Sequence, residues 1–283
     1  MRIAVAQLCS TPDPAANLVL MRGCLADAAG ADLVVFPEAT AACFARRSVE
    51  AAEPLDGPFA TGVRALAAEF STTIAVGLFT PAPDGSAPTS MAGPETAAAS
   101  ARCRNTLYVT GSGVEAAYDK LHLFDAFGFA ESSHVAPGGQ PVTVEVGGVR
   151  VGLAICYDLR FPELFKHYAR AGADVVIVPA SWQDGPGKVD QWRLLARARA
   201  LDSTCYVIAA GQAEPAASGR PGGTGPLGVG HSMAVAPDGV VLHEAGDAPE
   251  VFVVDLDPDA VARVRQMLPV LANSRFESGL RAD

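Results

Sequence analysis

Residues 148–164, GVRVGLAICYDLRFPEL, decide how this chain folds. Apolar Val149, Val151, Leu153 and Ile155 recur at every second position, with the small Gly152 and Ala154 between them. That pattern predicts a strand buried on both faces of a packed sheet. The chain turns polar directly afterwards, at Tyr157-Asp158-Leu159-Arg160. Pro162-Glu163-Leu164 then reads as a helix start, with Pro at the first position and an acid in the first turn. Cys156 is therefore expected at a strand-to-helix turn, near the positive end of a helix. Such a place lowers a thiol's pKa and favours the nucleophilic thiolate. An isolated cysteine is more often an inert core residue; the surroundings of this one favour a nucleophile.

Upstream, 2–8 reads as a strand, and Pro12 and Pro14 open a helix running to about residue 29. Leu18, Met21, Leu25 and Ala28 give that helix an apolar stripe. A second buried strand over 31–36 ends at Pro37, which cannot continue a central ladder. Glu38 thus projects from a strand terminus, a usual place for chemistry in α/β folds. It is either a solvated loop acid or, given the uncharged Ala39-Thr40-Ala41-Ala42 after it, a part-buried general base. A helix over Pro58–Phe70 and a strand over 73–79 follow. Residues 81–100 are rich in Pro, Ala, Gly, Ser and Thr without periodicity and read as a low-complexity surface loop. Strands over 104–109 and 114–118 form a hairpin around Gly111-Ser112-Gly113. Lys120 comes next. A lone lysine is usually a solvated charge, but Leu121, Leu123 and Phe124 make this setting apolar. A fixed ammonium there can stabilise developing negative charge.

Downstream, a helix over 162–171 leads to a strand over 174–178, ended by Pro179-Ala180-Ser181-Trp182. A helix over 189–201 carries Trp192, Leu195 and Arg199 on one side. Its arginines, Arg193, Arg197 and Arg199, are assigned to structure or a subunit contact. A strand over 204–210 precedes GRPGGTGPLGVG, which lacks the Lys-Ser/Thr ending of a phosphate-binding loop. A hairpin around Pro237-Asp238-Gly239, a strand over 251–255, a helix over 258–268 and an extended tail from about 269 complete the chain. With no repeats and no dividing linker, strands and helices alternate as one layered α/β domain over 1–283.

Composition bounds the function. The 283 residues are 49% hydrophobic and 18% charged, enough for a sizeable core. A formal net charge of -10 disfavours nucleic acid and anionic membranes as partners. No apolar run approaches the roughly 18 residues of a membrane span. The opening MRIAVAQL lacks a signal peptide's apolar region, which favours a cytoplasmic location. The six cysteines form no CxxC pair, which argues against a zinc site or a disulfide framework. The five histidines carry no motif that would pair one with Cys156 in a protease-type site.

Three segments, FPEAT at 36–40, YDKLHLFD at 118–125 and GLAICYDLRFPEL at 152–164, resemble in that order the signature segments of the nitrilase superfamily of carbon–nitrogen hydrolases. The resemblance implies a four-layer α-β-β-α sandwich that assembles as a homodimer or higher homo-oligomer. It makes Cys156 the nucleophile, Glu38 the general base and Lys120 the oxyanion stabiliser, helped by a backbone N–H near Tyr157. Members also place a second glutamate near the cysteine, and the Glu131-Ser132-Ser133 segment offers Glu131, or a plain loop acid. Trp182 would wall the substrate site or simply pack. Arg160 would hold a substrate carboxylate, as in members that cleave N-carbamoyl amino acids, or pair with Glu163. The chemistry implied is thioester formation and hydrolysis, with no metal and no cofactor. CYDLRFPEL, KLHLFD, GHSMAV and QMLPVLANSR are most similar to the branch of ω-amidases and deaminated-glutathione amidases. That branch releases ammonia from small amides; nitriles and N-carbamoyl amino acids are the alternative substrates of the same three residues. WQDGPGK at 182–188 departs from the family pattern.

Overall fold

The computed structural model describes residues 1–44, 47–83, 102–222 and 225–275. Most of the low-complexity stretch expected over 81–100 lies outside them. In chain order the strands are β1 (Arg2–Gln7), β2 (Leu33–Val35), β3 (Thr73–Pro81), β4 (Cys103–Gly111) and β5 (Val114–Asp119). The short β6 (Asp125–Ala126) and β7 (Phe129–Ala130) follow, then β8 (Thr143–Val146), β9 (Val149–Leu153) and β10 (Val175–Ala180). The last are β11 (Tyr206–Gly211), β12 (Met233–Val235), β13 (Val241–Glu244) and β14 (Glu250–Asp255). The helices are α1 (Pro14–Asp27), α2 (Ser48–Ala51), α3 (Pro58–Phe70), α4 (Pro162–Arg170), α5 (Lys188–Ser203), α6 (Pro258–Met267) and α7 (Val270–Asn273).

Two six-stranded sheets result, ordered β14-β1-β2-β3-β4-β5 and β13-β12-β11-β10-β9-β8. Alternation along the strands dictates how they stack. On β1, Ile3 and Val5 face the second sheet, where they join Val151, Leu153, Val175, Ile177 and Ile208 in one apolar core. Ala4 and Ala6 point the other way, onto Met21 and Leu25 of α1 and Val63 and Leu66 of α3. On the second sheet, Val176, Val178 and Val207 meet Leu164, Phe165 and Tyr168 of α4 and Trp192 of α5. Period-2 strands with both faces apolar require a layer on each side. The outcome is the four-layer α-β-β-α sandwich. Each fully buried Leu, Ile or Val contributes roughly 1.5–3 kcal/mol.

The strand directions place the chemistry. β1, β2 and β3 are parallel, as are β9, β10 and β11. β5 is antiparallel to β4, itself antiparallel to β3, so β5 runs with β3. Glu38, Lys120, Cys156 and Ser181 therefore all follow the carboxyl ends of strands, where open α/β sheets present their ligand crevices. Gly77 of β3 lies against the bend that carries Glu38: a Cβ on it would stand 2.6 Å from Glu38 Cα and 2.7 Å from Ala39 N.

Two expectations change. β10 continues through Pro179 to Ala180, with Pro179 in register with Ala210. Ile177 O accepts from Ala154 N on the β9 side, whereas Ala180 O accepts from Gln212 N on the β11 side. By alternation Pro179 faces the β9 side, where pairing stops at Leu153, so its missing N–H breaks no ladder bond. The tail after Pro269 is not extended throughout: Val270–Asn273 form a short helix. No described helix is long and apolar enough to cross a membrane.

Candidate active site

Cys156 opens a 3₁₀ turn, Cys156–Arg160, that joins β9 to α4. Its φ is +44°, a left-handed conformation uncommon outside glycine. Ala39, directly after Glu38, has φ +56°. Backbone held in this region is strained, and persists where surrounding contacts fix it. Asp158, fully buried, fixes the elbow. Its carboxylate accepts from Ile155 N at 2.8 Å, the Tyr118 hydroxyl at 2.7 Å and His122 N at 3.0 Å. His122 Nδ1 lies 2.7 Å from the same carboxylate, and the His122 ring stacks on Phe161 at 3.7 Å.

The structure brings Glu38, Lys120, Glu131 and Cys156 together at the floor of one cavity of about 450 Å³, counted with its open mouth. Glu38, Lys120 and Glu131 are 1%, 2% and 3% exposed. Lys120 Nζ donates to Glu38 Oε1 at 3.1 Å and to Glu131 Oε2 at 2.9 Å. Lys120 is seated by its backbone: its N–H donates to Asn105 O at 2.9 Å, and its carbonyl accepts from Gly138 N at 2.8 Å. Glu131, in the short turn Glu131–Ser133, also accepts from Phe124 N at 2.7 Å. Glu38 Oε2 accepts from Ser181 N at 2.8 Å. The Glu38 carbonyl accepts from Gln212 Nε2 at 2.9 Å.

Electrostatics follow from this packing. Removal from water alone would lower the Lys120 pKa, but the carboxylates of Glu131 and Glu38 outweigh it and hold the ammonium well above its ordinary value. The Cys156 thiol moves opposite to expectation. Burial first, and then the Glu38 charge, push it well above the usual thiol range, against a lowering by Lys120. The reason is positional. The elbow lies six residues ahead of α4, whose first residue is Pro162, while a carboxylate stands beside the sulfur. The resting group is the thiol, so use of this sulfur as a nucleophile would require a base to take its proton.

The mouth is aromatic and cationic. Tyr157, Arg160 and Trp182 line it with Phe44, Phe124, Phe129 and Lys188. Trp182 is buried and donates through Nε1 to Lys188 O at 3.0 Å, so it both packs and walls the cavity. Arg160 lies 5.1 Å from the Trp182 ring and 5.9 Å from the Tyr157 ring, and donates to Gln191 Oε1 at 2.9 Å. Among the described ion pairs none joins Arg160 to Glu163. Lys188 Nζ sits 3.9 Å over the Phe127 ring. Partial burial, then Arg160, lower its pKa. None of the described residues lining the cavity is a histidine. The arginines of α5 make intrachain bonds: Arg193 Nε donates to Glu244 at 2.6 Å, Arg197 to Gly239 O and Arg199 to Asp202.

The sequence pattern of the carbon-nitrogen hydrolases matches residues 2–266. The chain belongs to the carbon–nitrogen hydrolase family. This carbon–nitrogen hydrolase is 49% identical over 283 residues to a Mycobacterium tuberculosis protein named hydrolase Rv0480c, covering 96% of this chain and 95% of that one. It is 35% identical to the deaminated glutathione amidase of Escherichia coli O157:H7, covering 98% of each. Its fold superposes on Saccharomyces cerevisiae Nit3, a nitrilase-superfamily member, with a TM-score of 0.77 at 29% identity, over 98% of this chain and 97% of that one.

Four groups of this carbon–nitrogen hydrolase's site escape a reading of the sequence. Asp158 stands inside the quoted elbow and could have been found there. Ser181 meets Glu38 through its backbone N–H, and Asn105 is one polar residue among several on β4. Lys188 closes the stretch WQDGPGK that departs from the family pattern.

Proposed function

We propose that this chain is a cysteine amidohydrolase that cleaves the amide C–N bond of a small molecule carrying a remote carboxylate, through a thioester. The observation that carries this reading is the gathering of Cys156, Glu38, Lys120 and Glu131 at one cavity floor. As Cys156 Sγ attacks the amide carbon, Glu38 takes the thiol proton. The tetrahedral oxyanion is met by Lys120 Nζ and by the Tyr157 N–H, which starts a turn whose first donors lack partners within it. Collapse breaks the C–N bond, and the proton on Glu38 goes to the departing ammonia. Water then adds to the thioester, giving a proton to Glu38; expulsion of the Cys156 thiolate releases the acid, and that thiolate takes the proton back from Glu38. Dividing one difficult step into two easier ones is the gain of covalent catalysis. Glu131 keeps the Lys120 ammonium charged and directed.

The remote carboxylate is supported by Arg160 and Lys188. Both line the mouth, and neither is in an ion pair with a described carboxylate. Two cations that line one partly buried rim and raise each other's electrostatic cost are best satisfied by an anion. The name of the E. coli relative fits a substrate of this type. The test is ammonia release from a panel of ω-amides of dicarboxylic acids, neutral amides, N-carbamoyl amino acids and nitriles. Turnover is expected with the carboxylate-bearing amides and none with Cys156→Ala. Absence of any turnover, together with alkylation that shows no preference for Cys156, refutes the reading.

A further inference from the structure

Asn105 reaches the centre of the site without lining the cavity. It lies on β4 and is 1% exposed. Its Nδ2 donates to Glu38 Oε1 at 2.7 Å and to Glu131 Oε1 at 3.1 Å. Lys120 Nζ donates to the same two oxygens, at 3.1 Å and 3.2 Å. One neutral and one charged donor therefore clasp the same pair of carboxylate oxygens. The amide can stand only this way round, because its own oxygen would be repelled by both carboxylates. Asn105 Oδ1 is buried without a hydrogen-bond partner among the described residues. A buried unpaired acceptor is unfavourable. The two carboxylates that take hydrogen bonds from Nδ2 account for an orientation that leaves Oδ1 so.

The consequence concerns the two oxygens of Glu38. A carboxylate oxygen has two lone-pair positions. On Oε1 one is taken by Lys120 and the other by Asn105. On Oε2 the one donor among the described hydrogen bonds is Ser181 N, so one position there remains for a further hydrogen. We propose that Asn105 is a positioning residue that fixes which oxygen of Glu38 is the base. With Oε1 filled, the Cys156 proton passes to Oε2: the S–H bond breaks as an O–H bond forms, leaving the electron pair on sulfur for the substrate carbon. The inference rests on the proposed role of Glu38 as base. The titratable groups that meet Glu38 in the described site are Lys120, Cys156 and, across Asn105 and Lys120, Glu131.

The test uses the full chain with Asn105→Asp, which keeps the shape and removes the donor, and Asn105→Leu, which removes all polarity. Each is measured for its pH profile of kcat/KM on the best amide of the panel. At pH 7 a fall of about 10²-fold in kcat is expected, with KM within about threefold, as for a misplaced catalytic group. The acid limb of the profile should also move to higher pH, since a carboxylate with one donor fewer holds a proton more readily. The shift should be larger for Asn105→Asp, which adds a charge beside Glu38. A residue that merely supports the fold would lower activity in proportion to folded protein and leave the profile in place; that result overturns the proposal. Should Asn105→Leu not fold, the isosteric Asn105→Asp decides alone. Failure of the broader reading is visible separately, as wild-type protein that turns over nothing and is not alkylated at Cys156.

Discussion

The Ser181 N–H donates to Glu38 Oε2 at 2.8 Å, joining residues 143 apart in sequence. Glu38 follows β2 of the first sheet, and Ser181 follows β10 of the second. The acid of the site is thus oriented by backbone from the sheet that also carries Cys156. Its geometry exists only when the two sheets are packed together.

Glu38→Gln tests the base. An amide at 38 cannot match the donors of Ser181, Asn105 and Lys120, because one of its two heads is itself a donor. kcat/KM should fall about 10²- to 10⁴-fold, the usual contribution of a positioned general base. The thiol should respond in the opposite sense. Glu38 is second only to burial in holding the proton on Cys156. Its neutralisation should move the pH profile of iodoacetamide labelling at Cys156 to lower pH, as read by mass spectrometry. An unmoved labelling profile would detach Glu38 from the sulfur.

Lys188→Ala tests the rim. A charge-assisted contact is worth roughly 1.5–3 kcal/mol, so KM for a carboxylate-bearing amide should rise on the order of 10- to 100-fold. KM for a neutral amide of similar size should stay within about twofold. Equal losses on both would assign Lys188 to packing over Phe127 instead.

Alkaline stability tests the electrostatics. Above about pH 8.5 a cysteine in the unfolded chain loses its proton, whereas folded Cys156, raised well above the ordinary value, keeps it. The unfolded state then binds fewer protons, so stability falls as pH rises. Lys120 is likewise raised; its contribution is complete at neutral pH and is lost as pH climbs through the folded value. Urea unfolding at pH 7 and pH 9.5 should therefore show a loss at the higher pH. Cys156→Ala should flatten that loss by up to about 1.4 kcal/mol per pH unit. Cys24, Cys103 and Cys205 are also raised, so part of the trend should persist in the variant.

The placement of Glu38, Lys120 and Cys156 at strand ends was legible in the sequence: Pro37 stops one apolar strand, Lys120 follows a hairpin strand and precedes the apolar Leu121, Leu123 and Phe124, and polarity begins abruptly after Cys156. The sandwich was legible because strands such as β1 carry apolar residues on both faces. Pro179 misled because a proline's effect depends on which neighbour its missing N–H would face, and that is a property of the sheet. The thiol's protonation was misjudged for a related reason: the helix was local and visible, but the opposing carboxylate comes from 118 residues upstream. Asn105 carried no signal, since its partners are far away in sequence and its neighbours on β4 are as polar as it is.

The bend that presents Glu38 rests on Gly77, and the obstructing atoms there belong to main chain and cannot rotate aside. A single methyl at 77 would have to lift the loop that carries the carboxylate. The seat of Glu38 is thus cut one strand away, by the absence of a side chain at a residue outside the cavity lining. Refitting the cavity for a different amide would leave that demand untouched, and position 77 would still admit glycine alone.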